Sequence, residues 1–312
     1  VSSFCESILK IEQKEGFFVD QMEELLYKLI YCEGLGIVGK WRLLHFAMKF
    51  DYTDFNIDEV IKITNTSGNK GVLKESWQTL TTEWLQEKRN TQKSISFFSE
   101  RYPESLKNIA QPPLALFYEG NIDFLEYPSI AMVGARLATP YASQVLYQLI
   151  PKLVLEKLVI VSGLAKGVDR LSHELAILAG GKTIGVIGCG LDRCYPKEVS
   201  NLFQEMKQKQ LVLSEYPLGT PIKKHHFPMR NRIIAGLTQG TCVIEAKERS
   251  GSLITAQLAL DNGKEVFAIP GEILSGQSSG CHRLIQDGAK CVYRMEDILE
   301  ELPQYRLDFL KP

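Results

Sequence analysis

The stretch VIVSGLAKGVD, at residues 159–169, contains the pattern that decides the fold of this chain. It begins with a short, fully apolar run, which is typical of a β-strand that is buried on both faces. A turn containing glycine follows at Ser162 to Gly167, and a helix is expected from Val168 to Ala179. A buried strand, a glycine turn and a helix in this order form the repeating unit of a parallel α/β sheet.

The same unit recurs along the chain on both sides of this stretch, between residues 129 and 269. Short apolar strands that alternate with helices predict an α/β domain, with a mainly parallel sheet covered by helices on both faces. A further strand candidate, 114–118, lies in a connector marked by proline turns. The other expected strands are 130–133, 159–161, 183–187, 211–214, 242–244 and 265–269, with helices at 139–155, 168–179 and 252–262.

Glycine turns follow several of these strands, at Gly134, Gly163, Gly188 and Gly190. Because the carboxyl ends of parallel strands collect at one edge of a sheet, these turns should lie side by side. Glycines let a ligand approach the backbone, and helix N-termini point N–H groups at it. A cation lies near almost every turn, which favours an anion-binding rim over turns that serve the fold alone. The candidate cations are Arg136, Lys166, Lys197, Arg230, Arg232 and Lys247.

The stretch FPMRNRIIAGLTQGTCVIEAKERSG, at residues 227–251, is expected to form half of a nucleic-acid cleft. It places Arg230, Asn231 and Arg232 at the expected start of a short helix. At its end, Ser250 and Gly251 resemble a helix N-cap, with phosphate contact as a second role. The turn after the first expected strand is Gly134-Ala135-Arg136, and Gly188-Cys189-Gly190 lacks the third glycine of a G-x-G-x-x-G turn, which disfavours a dinucleotide cofactor.

Tyr195 and Phe227 add aromatic surfaces near the expected rim. Bases of any sequence can stack on aromatic rings, so rings in a cationic groove favour single-stranded nucleic acid over a sequence-specific duplex reader. The net charge of −1 excludes a generally basic DNA coat, so any polyanion must bind a local patch.

The composition is that of a globular protein of 312 residues with one large and one smaller domain. No apolar run reaches the roughly 18 residues of a membrane span, and the first residues lack the features of a secretory signal. The seven cysteines are scattered, which favours reduced thiols over disulfides or a metal site. These features predict a cytoplasmic protein without metal or cofactor.

The first region, residues 1–95, has helical periodicity and no excess of basic residues. Its segment GLGIVGK, at 34–40, matches a phosphate loop in form, but Trp41 replaces the Ser or Thr that would hold Mg²⁺. We therefore expect two helices joined by a glycine turn, similar to a helix-hairpin-helix module. Such a turn can contact a DNA phosphate, but scaffolding or protein contact is the favoured role. The expected domains are 1–95, 96–295 and a short tail at 296–312.

Candidate catalytic groups are few. Glu215 and Glu245 could each act as a base, but each is more readily explained as the partner of an arginine. Asp169 and His173 are four residues apart on one expected helix, which predicts a hydrogen bond on the helix surface. The sequence therefore predicts a protein that binds rather than an enzyme.

Eight motifs, in order along residues 97–295, resemble the DNA processing protein A family, DprA, also called Smf. The helical region before them resembles the sterile-alpha-motif-like domain of that family more weakly. The motifs are MVGAR (132–136), VSGLAKGVD (161–169), TIGVIGCGLDRCYPKE (183–198), LSEYPLGT (213–220), HFPMRNRIIAGL (226–237), EAKERSGSLITA (245–256), VFAIPG (266–271) and GCHRLIQDGAK (280–290).

The resemblance implies an extended Rossmann-like fold that binds single-stranded DNA, protects incoming strands and loads a RecA-type recombinase during natural transformation. It also implies a homodimer without catalytic activity. A surface for the dimer or the recombinase is expected at His282, Leu284 and Ile285, and the winged-helix domain of many relatives is expected to be absent after Cys291. The residues expected to line the DNA site are Gly134, Arg136, Ser162, Gly163, Lys166, Gly188, Gly190, Tyr195, Lys197, Phe227, Arg230, Asn231, Arg232, Lys247, Ser250 and Gly251.

A second hypothesis is a nucleotide-processing enzyme similar to the Rossmann-type phosphoribohydrolases. These enzymes carry a PGGxGTxxE motif that binds phosphate and supplies a catalytic acid. The corresponding stretch here, ERSGSL at 248–253, lacks both the double glycine and the glutamate. Single-strand binding is therefore the favoured function.

Overall fold

The computed structural model of the protein describes residues 16–68 and 70–305. These residues divide into two compact units. The first contains the described residues up to Tyr102 together with Pro113–Ala115, and the second contains Pro103–Pro112 and the residues from Leu116 onward. Each unit is described by itself.

The first unit is helical and packs around a core of leucine, methionine and tryptophan side chains, including Leu26, Leu44 and Trp41. Local signals fix where its helices begin. Asn56 and Glu59 form a reciprocal capping box at the start of the third helix, a pattern that satisfies two backbone N–H groups. The elements are α1 Gly16–Tyr31, α2 Ile37–Phe50, α3 Ile57–Thr64, α4 Lys70–Thr79, α5 Thr82–Thr91 and the short strand β1 Ser94–Ser96.

The GLGIVGK segment contributes Gly34, Leu35 and Gly36 to the turn between α1 and α2, and its last four residues form the first turn of α2. Gly34 has a φ of +79°, and its Cα lies against Leu73, where a side chain would be strained. Lys40 Nζ donates to the carbonyl oxygen of Ile30 at 3.1 Å. The lysine of the motif therefore stabilises the last turn of α1, where carbonyl groups lack partners.

The second unit is an α/β sheet whose strands lie in the order β2-β6-β5-β4-β3-β7-β8-β9. All neighbouring pairs among them are parallel except β2 and β6, which confirms the predicted mainly parallel fold. The elements are α6 Glu104–Lys107, β2 Ala115–Gly120, β3 Ser129–Val133, α7 Pro140–Leu155, β4 Val159–Ser162, α8 Val168–Leu178, β5 Thr183–Ile187, α9 Ser200–Lys209, β6 Leu211–Ser214, α10 His226–Leu237, β7 Gly240–Val243, α11 Gly251–Asp261, β8 Glu265–Ala268, α12 Ser279–Gln286, β9 Lys290–Cys291 and α13 Glu296–Leu299, with short 3₁₀ turns at Ile122–Glu126 and Lys197–Val199.

The strand order reverses at β3. From β3 the chain proceeds outward through β4 and β5 to β6, and then returns to place β7 on the other side of β3. Ile130 consequently pairs with Ile160 of β4 on one side and with Gly240 of β7 on the other. In open α/β sheets such a reversal opens a crevice at the carboxyl ends of the strands, where ligands bind.

Both faces of the central strand β3 are covered. Ile130 and Met132 belong to a core cluster with side chains of α7 and α8, and the alternate residues Ala131 and Val133 are buried as well. Ile298, from the segment after residue 295, packs into the same cluster. Within the described parts of the chain, no helix is both long enough and apolar enough to cross a membrane.

Candidate functional site

A pocket of about 240 Å³ lies at the carboxyl ends of β3 and β7, where the strand order reverses. Three segments bring most of its wall together: the end of β3, the first turns of α10 and the start of α11. Many of the residues predicted for the site lie here, in agreement with the expected clustering of turns. The pocket is lined by Val133, Gly134, Arg136, Ala165, Asp169, Phe227, Pro228, Arg230, Asn231, Ile234, Ser250, Gly251, Ser252, Ile254 and Thr255.

The start of α11 supplies backbone N–H groups to this pocket. Ser250 is the N-cap residue, and its hydroxyl accepts a hydrogen bond from Ser252 N at 3.4 Å. The predicted N-cap at Ser250 is thus confirmed. The next residue, Gly251, is exposed and leaves the backbone open to a ligand. The first N–H groups of a helix lack intrahelical partners and carry partial positive charge, so they can bind an anion.

An exposed cation and two aromatic rings flank the mouth of the pocket. The Arg136 guanidinium lies 5.9 Å from the centre of the Phe227 ring, which in turn lies 5.7 Å from the Tyr195 ring. Tyr195 is 48% exposed. Phe227 also lines a smaller adjoining cavity, together with Gly163, Gly188 and Tyr195. The rings therefore form a continuous surface beside the anion-binding segment.

Arg230 lies in the floor of the pocket rather than on its rim. It is only 6% exposed, and its Nη1 donates to the carbonyl oxygen of Val186 at 2.9 Å. The guanidinium lies directly against Gly163, because a Cβ atom on that glycine would be 1.6 Å from Arg230 Nη1. Burial lowers the pKa of Arg230, and the carboxylate of Asp169 opposes this shift.

Arg232 is the clearest departure from the predicted cationic rim. Its side chain is buried and forms a salt bridge with Glu215, which is also largely buried. Glu215 is therefore the partner of an arginine, as predicted. Since α10 begins at His226, both arginines lie in its second turn rather than at the helix start, and Arg232 is directed toward the end of β6. As placed, Arg232 is not available for direct contact with DNA.

Glu245, the other candidate base, has a structural role. It is 2% exposed and accepts hydrogen bonds from Thr139 N at 3.1 Å and from Thr139 Oγ1 at 2.6 Å. Thr139 is the N-cap residue of α7. The carboxylate therefore stabilises the start of that helix, where negative charge is favourable.

The expected surface hydrogen bond between Asp169 and His173 is wrong. Both side chains are buried. Asp169 Oδ2 accepts from Gly163 N at 3.1 Å, and burial raises the pKa of this carboxyl group. His173 Nδ1 lies 2.6 Å from Thr183 Oγ1, and burial lowers the pKa of the imidazole to about 3. Helix α8 turns this face toward the sheet, which its sequence spacing alone does not reveal.

Other predicted site residues are divided between the interior and the surface. Ser162 is fully buried and donates its hydroxyl to the carbonyl oxygen of Met132 at 2.6 Å. Gly190 is also buried, and its N–H donates to Thr220 O at 3.1 Å. Neither lines the two cavities described above. Lys166, Lys197 and Lys247 lie on the surface, where Lys166 forms an ion pair with Glu198.

His226 supports the turn after β5 from outside the lining of the two cavities, and it was not among the residues predicted for the site. Its ring stacks on Tyr216 with centres 4.0 Å apart, and its Nδ1 lies 3.0 Å from the carbonyl oxygen of Gly188. These contacts join the first residue of α10, which precedes Phe227, to the turn after β5 and to the segment after β6. In the sequence, His226 is the first residue of the motif HFPMRNRIIAGL, and that motif could have pointed to it.

The residues predicted for a dimer or recombinase surface lie on α12. His282, Leu284 and Ile285 are all partly exposed. His282 Nε2 lies 3.0 Å from the carbonyl oxygen of Gly271, which anchors the loop after β8. The structure therefore places these side chains outside the lining of the pocket.

The cysteines and acidic residues form no metal site within residues 16–68 and 70–305. The six cysteines in these ranges are free thiols; four of them are buried, Cys194 is half-buried and Cys291 is exposed. Cys5 lies outside the described residues.

The sequence and fold can be compared with known proteins. The DNA processing protein DprA of Streptococcus pneumoniae is 51% identical over 208 residues, which cover 67% of this chain and 73% of that protein. DprA of Bacillus subtilis is 45% identical over 220 residues, covering 70% of this chain and 74% of that protein.

Two solved structures are also similar. The X-ray structure of DprA from Streptococcus pneumoniae gives a TM-score of 0.81 at 42% identity, covering 88% of this chain and 96% of that one. The second is DNA processing protein A from Helicobacter pylori, a structure reported for its single-stranded DNA binding mode. It gives a TM-score of 0.61 at 31% identity, covering 66% of this chain and 94% of that one.

A family model also matches the chain. The model for DNA recombination-mediator protein A matches residues 93–303, which is more than half of the chain. The strands β1 to β9 and all eight sequence motifs lie within these residues. The chain belongs to the DNA recombination-mediator protein A family.

Proposed function

We propose that this chain binds single-stranded DNA at the pocket between β3 and β7 and along the adjoining aromatic surface. The observation that carries the proposal is the alignment of Arg136, Phe227 and Tyr195 beside the N-terminus of α11. The single-stranded DNA binding mode described for the Helicobacter pylori relative supports the same ligand here.

The chemistry of these groups indicates which part of the DNA strand each of them binds. Arg136 and the N–H groups at the start of α11 bind phosphate oxygens, which carry the charge of the strand. Phe227 and Tyr195 stack with bases, which expose their faces only when the strand is unpaired. A duplex keeps its bases stacked on one another, so it loses the aromatic contribution.

We further propose that the protein holds the strand without cleaving it. Glu215 is occupied by Arg232 and Glu245 by Thr139, so both candidate bases have structural partners. A phosphoribohydrolase-like activity is tested by incubation with nucleoside monophosphates. Release of free base at a rate above the uncatalysed one would replace the binding proposal with an enzymatic one.

The proposed partners are a RecA-type recombinase and a second copy of the chain. We place the surface that contacts these partners on α12, at His282, Leu284 and Ile285, because these side chains are partly exposed and lie outside the DNA pocket. In this proposal the protein acts in the cytoplasm, protects incoming strands and delivers them to the recombinase during transformation or recombination. The proposed organisation is a helical domain at 1–95, an α/β domain at 96–295 and a short tail at 296–312, of which Ile298 packs into the core of the α/β domain.

The dimer proposal has its own test. Replacing Ile285 with arginine puts a charge into an apolar contact, so the mass measured by light scattering should fall from that of a dimer to that of a monomer. A wild-type protein that is monomeric at the same concentration would remove this part of the proposal.

Fluorescence anisotropy with labelled single- and double-stranded oligonucleotides of equal length, at two salt concentrations, tests the DNA-binding proposal. We expect tighter binding of the single strand and an affinity that falls with salt, because bound phosphates release counterions. Arg136→Ala should weaken binding about tenfold, the scale of one lost charge-assisted contact. Lys152→Ala, which removes an exposed cation from the last turn of α7, is the matched control. Salt-independent affinity, or equal affinity for duplex, contradicts the proposal.

A further inference from the structure

Arg230 is a buried cation in the floor of the pocket. It is 6% exposed, as is Arg232 on the same helix. Arg232 forms a salt bridge with Glu215, whereas Arg230 forms none with any carboxylate of the described residues, and its Nε has no hydrogen-bond partner among them. A guanidinium that has left water without gaining an ion pair is costly to bury. An anionic ligand in the pocket that Arg230 lines would supply the opposite charge.

The start of α11 is a second anion-binding element of the same pocket. This helix is 11 residues long, and Ser250, Gly251 and Ser252 line the pocket. A Cβ atom on Gly251 would meet no atom within 4 Å, so the space beside its backbone is open to a ligand. The first N–H groups of a helix carry partial positive charge and bind phosphate oxygens. With Arg136, two guanidinium groups and a helix N-terminus line one pocket of about 240 Å³.

A single carboxyl group, that of Asp169, lies among the described residues that line this pocket. Its Oδ2 accepts a hydrogen bond from Gly163 N at 3.1 Å, and burial raises its pKa, which favours the uncharged form. Even a charged Asp169 offsets only one of the two guanidinium groups. The lining therefore keeps an excess of positive charge in either protonation state, and the helix N-terminus adds to it.

The phosphates of a DNA strand differ in charge and in their free oxygens. A phosphate inside the strand carries one negative charge, two non-bridging oxygens and a sugar on each side. A phosphate at a strand end is a monoester, which carries about two charges near neutral pH and three strong acceptor oxygens. Two guanidinium groups and a helix N-terminus match the terminal phosphate better, in charge and in the number of donors.

The aromatic surface gives the strand one direction in which to leave the pocket. Phe227 is the one aromatic ring among the described residues that line it. The Phe227 ring lies 5.7 Å from that of Tyr195, and both rings line the smaller adjoining cavity. A strand whose end lies in the pocket can therefore stack its first bases on these two rings.

We propose that this pocket binds the terminal phosphate of a DNA strand, and that the bases next to this end stack on Phe227 and Tyr195. The inference rests on the proposed single-strand function of the same pocket and adds that the strand is held by its end. Arg136 and Arg230 neutralise the phosphate, and the first N–H groups of α11 bind its oxygens. A 5′-phosphate and a 3′-phosphate share this chemistry, so the experiment compares the two.

Three oligothymidylates of equal length test the proposal: one with a 5′-phosphate, one with a 3′-phosphate and one with hydroxyl groups at both ends. Each carries the same fluorophore on an internal base, and anisotropy at constant ionic strength measures its affinity for the full chain. We expect at least one phosphorylated strand to bind about tenfold tighter than the hydroxyl-ended strand, the scale of one added charge-assisted contact. The phosphate that gives this gain identifies the end that the pocket holds.

Gly251→Asp places a carboxylate where the phosphate is proposed to bind. The position has room for the side chain, and a negative charge in the first turn stabilises a helix, so this variant should fold. It should bind the phosphorylated and hydroxyl-ended strands with equal affinity. Ser200→Asp is the matched control, because it adds the same charge at the exposed first position of α9, outside the lining of both cavities, and it should keep the gain.

Arg136→Ala, at an exposed position, is a second test variant and should also narrow the difference between the strands. Thermal melting reports whether each variant is folded. Equal affinity of the wild type for all three strands overturns the inference, and so does a gain that persists in both folded test variants. Failure of the wild type to bind the hydroxyl-ended strand in preference to duplex refutes the proposed function, whereas equal binding of the three single strands refutes only the end preference.

Discussion

Arg136 and Arg232 were both expected to line one cationic rim, but they occupy opposite environments. Arg136 is exposed beside Phe227, at the end of β3. Arg232 is buried against Glu215, at the end of β6. A guanidinium can leave water only with a hydrogen-bonded or charged partner, so the nearest carboxylate decides whether an arginine supports the fold or meets a ligand. Nearness to a strand end is therefore not enough to assign an arginine to a binding site.

The largest effect should come from breaking the buried pair. Arg232→Met leaves Glu215 buried without its partner, which should lower the free energy of unfolding by about 3–5 kcal/mol. Urea denaturation followed by circular dichroism measures this loss. Tryptophan fluorescence is unsuitable, because all three tryptophans, Trp41, Trp77 and Trp84, lie in the helical unit.

The double variant Arg232→Met with Glu215→Leu provides the control for this prediction. Because it removes both charges, it should be more stable than the single Arg232→Met variant. A single variant that keeps its stability but loses DNA affinity would instead place Arg232 with Arg136, among the groups that meet the ligand.

Phe227→Ala tests the exposed surface on which Arg136 lies. The loss of a base-stacking ring should weaken single-strand binding by about 1–3 kcal/mol. Oligonucleotide anisotropy measures the change. Tyr147→Ala, which removes a 58% exposed ring from the middle of α7, should have no effect on binding. Equal losses in the two variants would show that Phe227 has no special contact with the strand.

The fold was predictable because its signals are local. An apolar run followed by a glycine turn and an amphipathic helix identifies each unit, and the structure shifts most boundaries by only one or two residues, as for α11, expected at 252–262 and found at Gly251–Asp261. The clustering of Gly134, Gly163 and Gly188 at one edge follows from parallel strands. The part of the pocket wall that these turns form with α10 could therefore be predicted from the sequence.

Pairings between distant elements were not predictable in the same way. The contact of Arg232 with Glu215 depends on α10 lying near the end of β6, and that of His226 with Gly188 on its lying near the end of β5. Asp169 is buried because α8 turns that face toward the sheet. Strand order fixes each of these contacts, and residue spacing within one element carries no information about it.

The buried imidazole of His173 predicts that the free energy of unfolding depends on pH. The pKa of His173 is lowered to about 3, whereas an unfolded histidine titrates near 6.5. Below pH 6.5 the unfolded chain binds a proton that the folded chain does not, so stability falls as the pH drops toward 3. Between pH 7.5 and 5 this loss should be about 2 kcal/mol.

His173→Asn removes this titration, so its free energy of unfolding should change less between pH 7.5 and 5 than that of the wild type. Urea denaturation at the two pH values measures the difference. His225→Asn, at an exposed position, should retain the wild-type dependence. If His173→Asn keeps it too, the buried imidazole is not the titrating group.

The smallest effect is expected from Lys247→Ala, on the exposed side. Lys247 is exposed after β7, so its loss should weaken single-strand binding by only about two- to threefold. The slope of log affinity against log salt should fall by about 0.7, which corresponds to one phosphate contact on a single strand. Lys209→Ala, in the last turn of α9, should leave the slope unchanged. An unaltered slope in Lys247→Ala removes this lysine from the DNA path.

The contact between Gly163 and Arg230 has a consequence for how this sequence can evolve. A Cβ atom at position 163 would be 1.6 Å from Arg230 Nη1, so no side chain fits there while the arginine keeps its place. Any relative with a residue other than glycine at this position should either hold the guanidinium of the arginine elsewhere or have a shorter side chain in its place. The two positions, 67 residues apart in sequence, are thus expected to change together, as a co-varying pair that records the distance between β4 and α10.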